Sequence, residues 1–208
     1  FAFIFIVIPL NLRPAAVGLE SPRVSKVVYF AAIGMGFMLV ELSLMMRLGV
    51  FLGQPIYGLT VVLFSLLSAG GAGSFASRYW LARRRWIFPF LALVGILGAS
   101  SRGLPWLVAA AAPWPMPAKI ALSCAVVILC GFFMGMPFPI GMTLGEGARS
   151  ARILYWGVNG FTSVCGSAVA VVCLITFGFQ ATLLGAGFCY IIALVSLAKS
   201  GLRGCLIP

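Results

Sequence analysis

The stretch VVYFAAIGMGFMLVELSLMM, residues 27–46, decides the fold: in twenty positions it holds one charged side chain, Glu41, between Lys26 and Arg47. Twenty helical residues reach about 30 Å at a rise of about 1.5 Å each, the thickness of a bilayer's hydrocarbon core. The same pattern recurs near Ile56–Ser77, Trp86–Ser101, Ile120–Leu144, Ile153–Phe177 and Ala181–Ala198. The expected fold is therefore an all-α integral membrane bundle of six complete spans in a single domain over residues 1–208. Phe1–Leu10 reads as the end of a preceding, partial helix. The chain opens on it with neither an initiator Met nor a charged n-region, so it is expected to be a fragment of a longer protein.

Composition supports lipid as the solvent. Hydrophobic residues make up 62% and charged residues 8% of the chain, with a mean hydropathy of +1.16, whereas a soluble domain carries about 25% charged residues. A net charge of +11 would suggest nucleic acid in an aqueous protein. Here the basic residues sit in short segments between apolar runs, with no contiguous basic face to track phosphates, which excludes that class.

Counting basic residues on alternate sides of the spans orients the chain. Eleven fall on one side (Arg13, Arg23, Lys26, Arg78, Arg83, Arg84, Arg85, Arg149, Arg152, Lys199 and Arg203) and three, Arg47, Arg102 and Lys119, on the other. The positive-inside rule places the first set in the cytoplasm. Arg83, Arg84 and Arg85 are expected to touch anionic lipid headgroups. Tyr29, Trp80, Trp86, Tyr155 and Trp156 are expected to form one interfacial aromatic belt, with Tyr57, Trp106 and Trp114 in the other. Gly103–Pro117, with four prolines, is expected to be a non-helical loop on the extracytoplasmic surface.

The motifs of soluble enzymes are absent from the sequence, which leaves a catalytic membrane enzyme only as a third class behind an anchor and a transporter. Without His or Asp and with only three Glu, no Ser-His-Asp or Cys-His system can be assembled, no carboxylate dyad, and none of the usual haem ligation. Cys124, Cys130, Cys165, Cys173 and Cys189 fall within spans and Cys205 near the end, without a C-x-x-C pair, so they read as small apolar residues rather than a zinc or disulfide framework. Gly34-Met-Gly36 and Gly185-Ala-Gly187 follow no strand and are not nucleotide loops. No cofactor, metal or catalytic residue is expected.

Close helix packing is written in small residues. Ser65, Ala69, Gly73 and Ser77 recur every four positions, and Gly131/Gly135 and Gly141/Gly145 form G-x-x-x-G pairs, the pattern that lets helix backbones approach in lipid. Glu41 is the sharpest single residue, because a carboxylate within a span is costly unless paired, wet or protonated. It either faces a cavity that handles a cation or holds the fold, through a neighbouring helix or with Arg47 as counterion. Asn159, Ser163 and Ser167 form one polar stripe. Pro137 and Pro139 remove two helical donors and free carbonyls. Together with Glu41, the residues Asn159, Ser163, Pro137 and Pro139 form the candidate substrate site if the protein transports; otherwise they are a kink and interhelical glue. The methionines around Pro137 read as core filler rather than a Cu(I) site.

The run YFAAIGMGFMLVE (29–41), continuing through Arg47 to FLGQP (51–55), VVLFSLL (61–67) and GAGS (71–74), resembles the C-terminal membrane half of bacterial spermidine synthase-like multi-pass proteins. GMPFPIG (135–141) and WGVNGFTSV (156–164) are similar to that family's later segments. Met46 and Gln54 depart from it, standing where a Gln and a His are usual. The resemblance implies a bacterial inner membrane location and an aminopropyltransferase-like domain upstream of these helices, whose acidic residues this chain lacks. The expected function is a non-catalytic membrane domain, an anchor or accessory subunit with a protein partner in the membrane. The alternative is a transporter or channel for a polyamine or similar small cation.

Overall fold

The computed structural model describes residues 24–144 and 149–204, and every regular element among them is an α-helix. In chain order these are α1 (Val24–Phe51), α2 (Pro55–Ala82), α3 (Phe88–Ala110), α4 (Met116–Met134), α5 (Pro137–Leu144), α6 (Arg149–Thr176) and α7 (Gly178–Gly204). α4 and α5 form one interrupted span, so six stretches are long and apolar enough to cross a membrane. Phe1–Leu10, Arg13, Arg23, Gly145 and Cys205 lie outside the described residues.

Short connections make successive spans antiparallel. The turn at 52–54 uses Gly53 at φ 75°, and Phe177 alone separates α6 from Gly178 at φ 77°, backbone settings that glycine adopts without a Cβ clash. Tyr29, Phe90 and Gly141 gather at one end of the bundle, while Arg47, Val108 and Lys119 gather at the other. The arginine-rich turn after α2 and the turn after α3 therefore leave opposite ends.

α1 is the central element. It packs most extensively against α6 and α7 and also touches α2, α4 and α5, while α2 pairs with α4 and α3 with α7. Gly34 and Gly36 explain how one helix serves two close neighbours, since two positions at 3.6 residues per turn place them on nearly opposite faces. A Cβ at Gly34 would stand 2.5 Å from the Asn159 carbonyl oxygen of α6; one at Gly36 would stand 3.1 Å from the Tyr190 ring of α7.

The distribution of polarity is that of a membrane protein. Phe64, Phe75, Val164, Ile175 and Phe188 are exposed on the outside, where lipid tails take the place of water. Ser43, Ser101, Ser123 and Thr182 are buried, and their hydroxyls donate to the carbonyls of Leu39, Gly98, Lys119 and Gly178 in their own helices at 2.6–2.8 Å. Such back-bonding keeps polar atoms paired where no water reaches.

Two expectations are corrected. Gly103–Pro117 is not a loop throughout: α3 continues to Ala110 with Pro105 inside it, and only residues 111–115 form the turn. Membrane helices tolerate an interior Pro where neighbouring groups satisfy the freed carbonyl, and Pro115 and Pro117 occupy the cap and first turn of α4, where a missing N–H costs nothing. Tyr29 and Tyr155 are core residues, 1% and 3% exposed, because Tyr29 donates to the Pro137 carbonyl and Tyr155 stacks on Phe30 at 5.1 Å. Trp106, Trp114, Trp156 and Tyr57 are exposed.

The α2–α4 seam is built from the small-residue stripe. Ser65, Ala69, Gly73 and Ser77 are all buried. A methyl at Gly73 would collide with the Phe132 carbonyl and one at Gly135 with the Gly70 carbonyl, while Gly131 faces Leu66 and Ala69 at 3.1–3.3 Å. With backbone against backbone, neither side can yield by rotating a side chain. Gly135→Val should therefore destabilise the bundle by about 1–3 kcal/mol, seen as an earlier midpoint in an SDS-unfolding titration. Gly98→Ala, with nothing within 4 Å, should leave the midpoint unchanged.

Candidate functional site

At the interruption between α4 and α5 the helix ladder gives way at Gly135 and Met136. Gly135 N still donates to Gly131 O at 2.9 Å and Ile140 N to Met136 O at 3.2 Å, but Met136 N reaches only Phe133 O, at 3.4 Å. Pro137 and Pro139 lack the N–H groups that would have bonded the carbonyls four residues earlier. The carbonyls this leaves without a helical donor are those of Phe133, taken up by Met136 N, and Gly135, while α1 braces the start of α5 just beyond the break: the Tyr29 hydroxyl donates to the Pro137 carbonyl, and Gly141 leaves room for the Tyr29 ring.

α6 presents its polar stripe to the same helix. Asn159 Nδ2 donates to the Phe30 carbonyl at 3.0 Å, and Ser163 Oγ lies 3.4 Å from the Gly34 carbonyl and donates to its own helix at Asn159 O, 2.9 Å away. Both acceptors belong to α1, and both are reachable because Gly34 has no side chain. Ser167 donates to the Val164 carbonyl at 2.7 Å, within α6. It takes no part in the interhelical contact.

A cavity of about 350 Å³ lies between these helices, lined by Asn159, Ser163, Pro137, Gly135, Gly70 and Tyr190 among mostly apolar neighbours. Three of the sequence candidates thus meet at one place. Pro139 is not in the lining; it sits inside α5, where its carbonyl accepts the Thr143 hydroxyl at 2.8 Å. Glu41 is also outside the lining. It is half-buried on α1, seven residues and about 10 Å beyond Gly34 at the helical rise.

The Glu41–Arg47 pairing, one of the alternatives for Glu41, is not formed. Six positions put the two side chains about a third of a turn apart in direction, and the Arg47 guanidinium lies 5.9 Å from the Phe179 ring centroid instead, with its Nε unpaired. Among the described residues no group of three metal-ligating side chains occurs, and the five described cysteines are free.

From the sequence Tyr29 reads as an interfacial residue, Gly34 carries no site role and Tyr190 is not singled out, yet all three lie in this region. Tyr190 is 1% exposed. The signal available was Gly34-Met-Gly36, two small residues facing opposite ways in the most apolar helix of the first half. No protein-family model matches the chain, and neither a curated protein nor a solved structure matches it.

The interhelical bonds set measurable energies. Asn159→Ala should cost about 0.6–1.7 kcal/mol, the range of hydrogen bonds between membrane helices, and Tyr29→Phe about the same by removing the bond that ties α1 to the Pro137 carbonyl. If the break and the stripe support α1 independently, the two losses add to within about 0.5 kcal/mol in a double-mutant cycle.

Proposed function

We propose that this chain is the non-catalytic membrane domain of a spermidine synthase-like protein, acting as an anchor or accessory subunit within a larger membrane assembly in a bacterial inner membrane, with its basic loops cytoplasmic. The observation that carries this reading is how the polar groups are used. Asn159, Ser163 and the Pro137 carbonyl all bond to α1, so the atoms a substrate would need are engaged in holding helices together. Backbone contact along the α2–α4 seam likewise favours one fixed arrangement over the rocking of repeats that transport requires.

The arginine turn suits an anchor. Arg83, Arg84 and Arg85 are exposed at the C-terminal end of α2, where the helix dipole favours cations. Arg83 lies 4.1 Å from the Tyr79 ring centroid and Arg78 5.0 Å from that of Phe75, which holds the guanidinium groups beside an exposed aromatic surface, suited to a headgroup layer with anionic lipid.

The transport alternative draws on the cavity beside the helix break, and a direct assay separates the two. Purified in mild detergent, the chain should elute with a protein partner, in a particle larger than its own 22.0 kDa plus bound detergent. In proteoliposomes it should take up no more spermidine than empty vesicles. A free monomer, or uptake abolished by Glu41→Gln or Asn159→Leu, would overturn the anchor reading.

A further inference from the structure

Three basic residues fall on the sparsely basic side of the spans, and two of them, Arg47 and Lys119, line one cavity. It holds about 300 Å³ between the end of α1, the end of α3 and the start of α4, and its remaining wall is Val50, Phe51, Val108, Ala109 and Ala112. Among the described residues no acidic one lines it. Arg47 Nε is buried without a hydrogen-bond partner, although buried charge is normally paired. Both cations are held in place by rings: Arg47 over Phe179 at 5.9 Å and Lys119 over Phe51 at 5.5 Å.

The helix ends answer only part of this charge: the C-termini of α1 and α3 carry partial negative charge, but on each helix two of the last four carbonyls already have backbone donors, Leu48 O and Val50 O from Leu52 N and Gly53 N, and Leu107 O and Ala109 O from Ala111 N and Ala112 N. Lys119 stands at the beginning of α4, where the dipole is itself positive and a cation is disfavoured. One guanidinium, one ammonium group and a helix N-terminus thus converge with no carboxylate among the described lining residues.

We propose that this cavity binds a phosphate group, with Arg47 and Lys119 sharing its charge. An arginine fork and a lysine point charge are the usual pair for such an anion. The cavity exceeds a bare phosphate, and its wall of Val50, Phe51 and Val108 suits the glycerol and upper acyl carbons of a phospholipid. The same chemistry would also accept free inorganic phosphate, and this site is separate from the α4–α5 break.

The test compares two probes on the full chain. By native mass spectrometry from mixed phosphatidylglycerol and phosphatidylcholine micelles, the wild type should retain one phosphatidylglycerol that Arg47→Gln/Lys119→Gln loses by at least tenfold, while Arg102→Gln, outside the cavity, keeps it. Binding of inorganic phosphate, followed by phosphorus NMR and lost in the same variant, would instead assign a soluble source to the site. Arg47→Lys/Lys119→Arg should preserve whichever probe binds. Lys119→Gln alone should weaken it, which covers failure of the double variant to fold. Equal retention of both probes by the wild type and the Gln variants would overturn the proposal.

Discussion

The structure depends on α1 being approachable from both sides. A helix in lipid gains nothing from burying apolar surface against another helix, because acyl chains offer the same surroundings. What remains is contact and hydrogen bonding, and both require backbones to come near each other. Gly34 and Gly36 permit this on opposite faces, toward α6 and α7, and the carbonyls thereby uncovered on α1 become acceptors for Asn159 and Ser163. The most densely packed helix is thus organised by residues that contribute almost no surface themselves.

The α4–α5 break follows the same logic. Lipid cannot hydrogen-bond an orphaned carbonyl, so a proline pair within a span is tolerable only where protein supplies the donor. Met136 N takes the Phe133 carbonyl that Pro137 frees, and Tyr29 ties the start of α5 to α1 through the Pro137 carbonyl, its ring filling the space that Gly141 leaves empty. Break, stripe and central helix form one connected unit, and the cavity among them is bounded by groups already committed to each other.

Much of this was legible in residue pattern. Span number and alternation followed from apolar length and from where arginine and lysine interrupt it, and the contact seam followed from the four-residue recurrence of Ser65, Ala69, Gly73 and Ser77. The end of α3 was misjudged because Pro105 was weighed by its behaviour in water-soluble helices, and the Tyr29 hydroxyl was assigned to an interface because its acceptor, the Pro137 carbonyl, is 108 residues away. Convergence of Asn159, Ser163 and Pro137 is a tertiary fact that spacing along one helix cannot contain. Likewise, Arg47 and Lys119 look like isolated exceptions to a charge rule until α1 and α4 are placed side by side.

The turn after α2 closes with Arg84 N donating to Leu81 O and Arg85 N to Trp80 O, at 3.0 and 2.9 Å, and with Arg84 itself at φ 55°. That is a Schellman ending whose left-handed position normally belongs to glycine, and a side chain there is disfavoured by about 1–2 kcal/mol. The chain accepts local discomfort to carry a third guanidinium where the loop is tightest. Charge density at this corner and ease of folding are therefore opposed quantities, and a version of the protein with glycine at position 84 would gain stability by giving up one of the three adjacent cations.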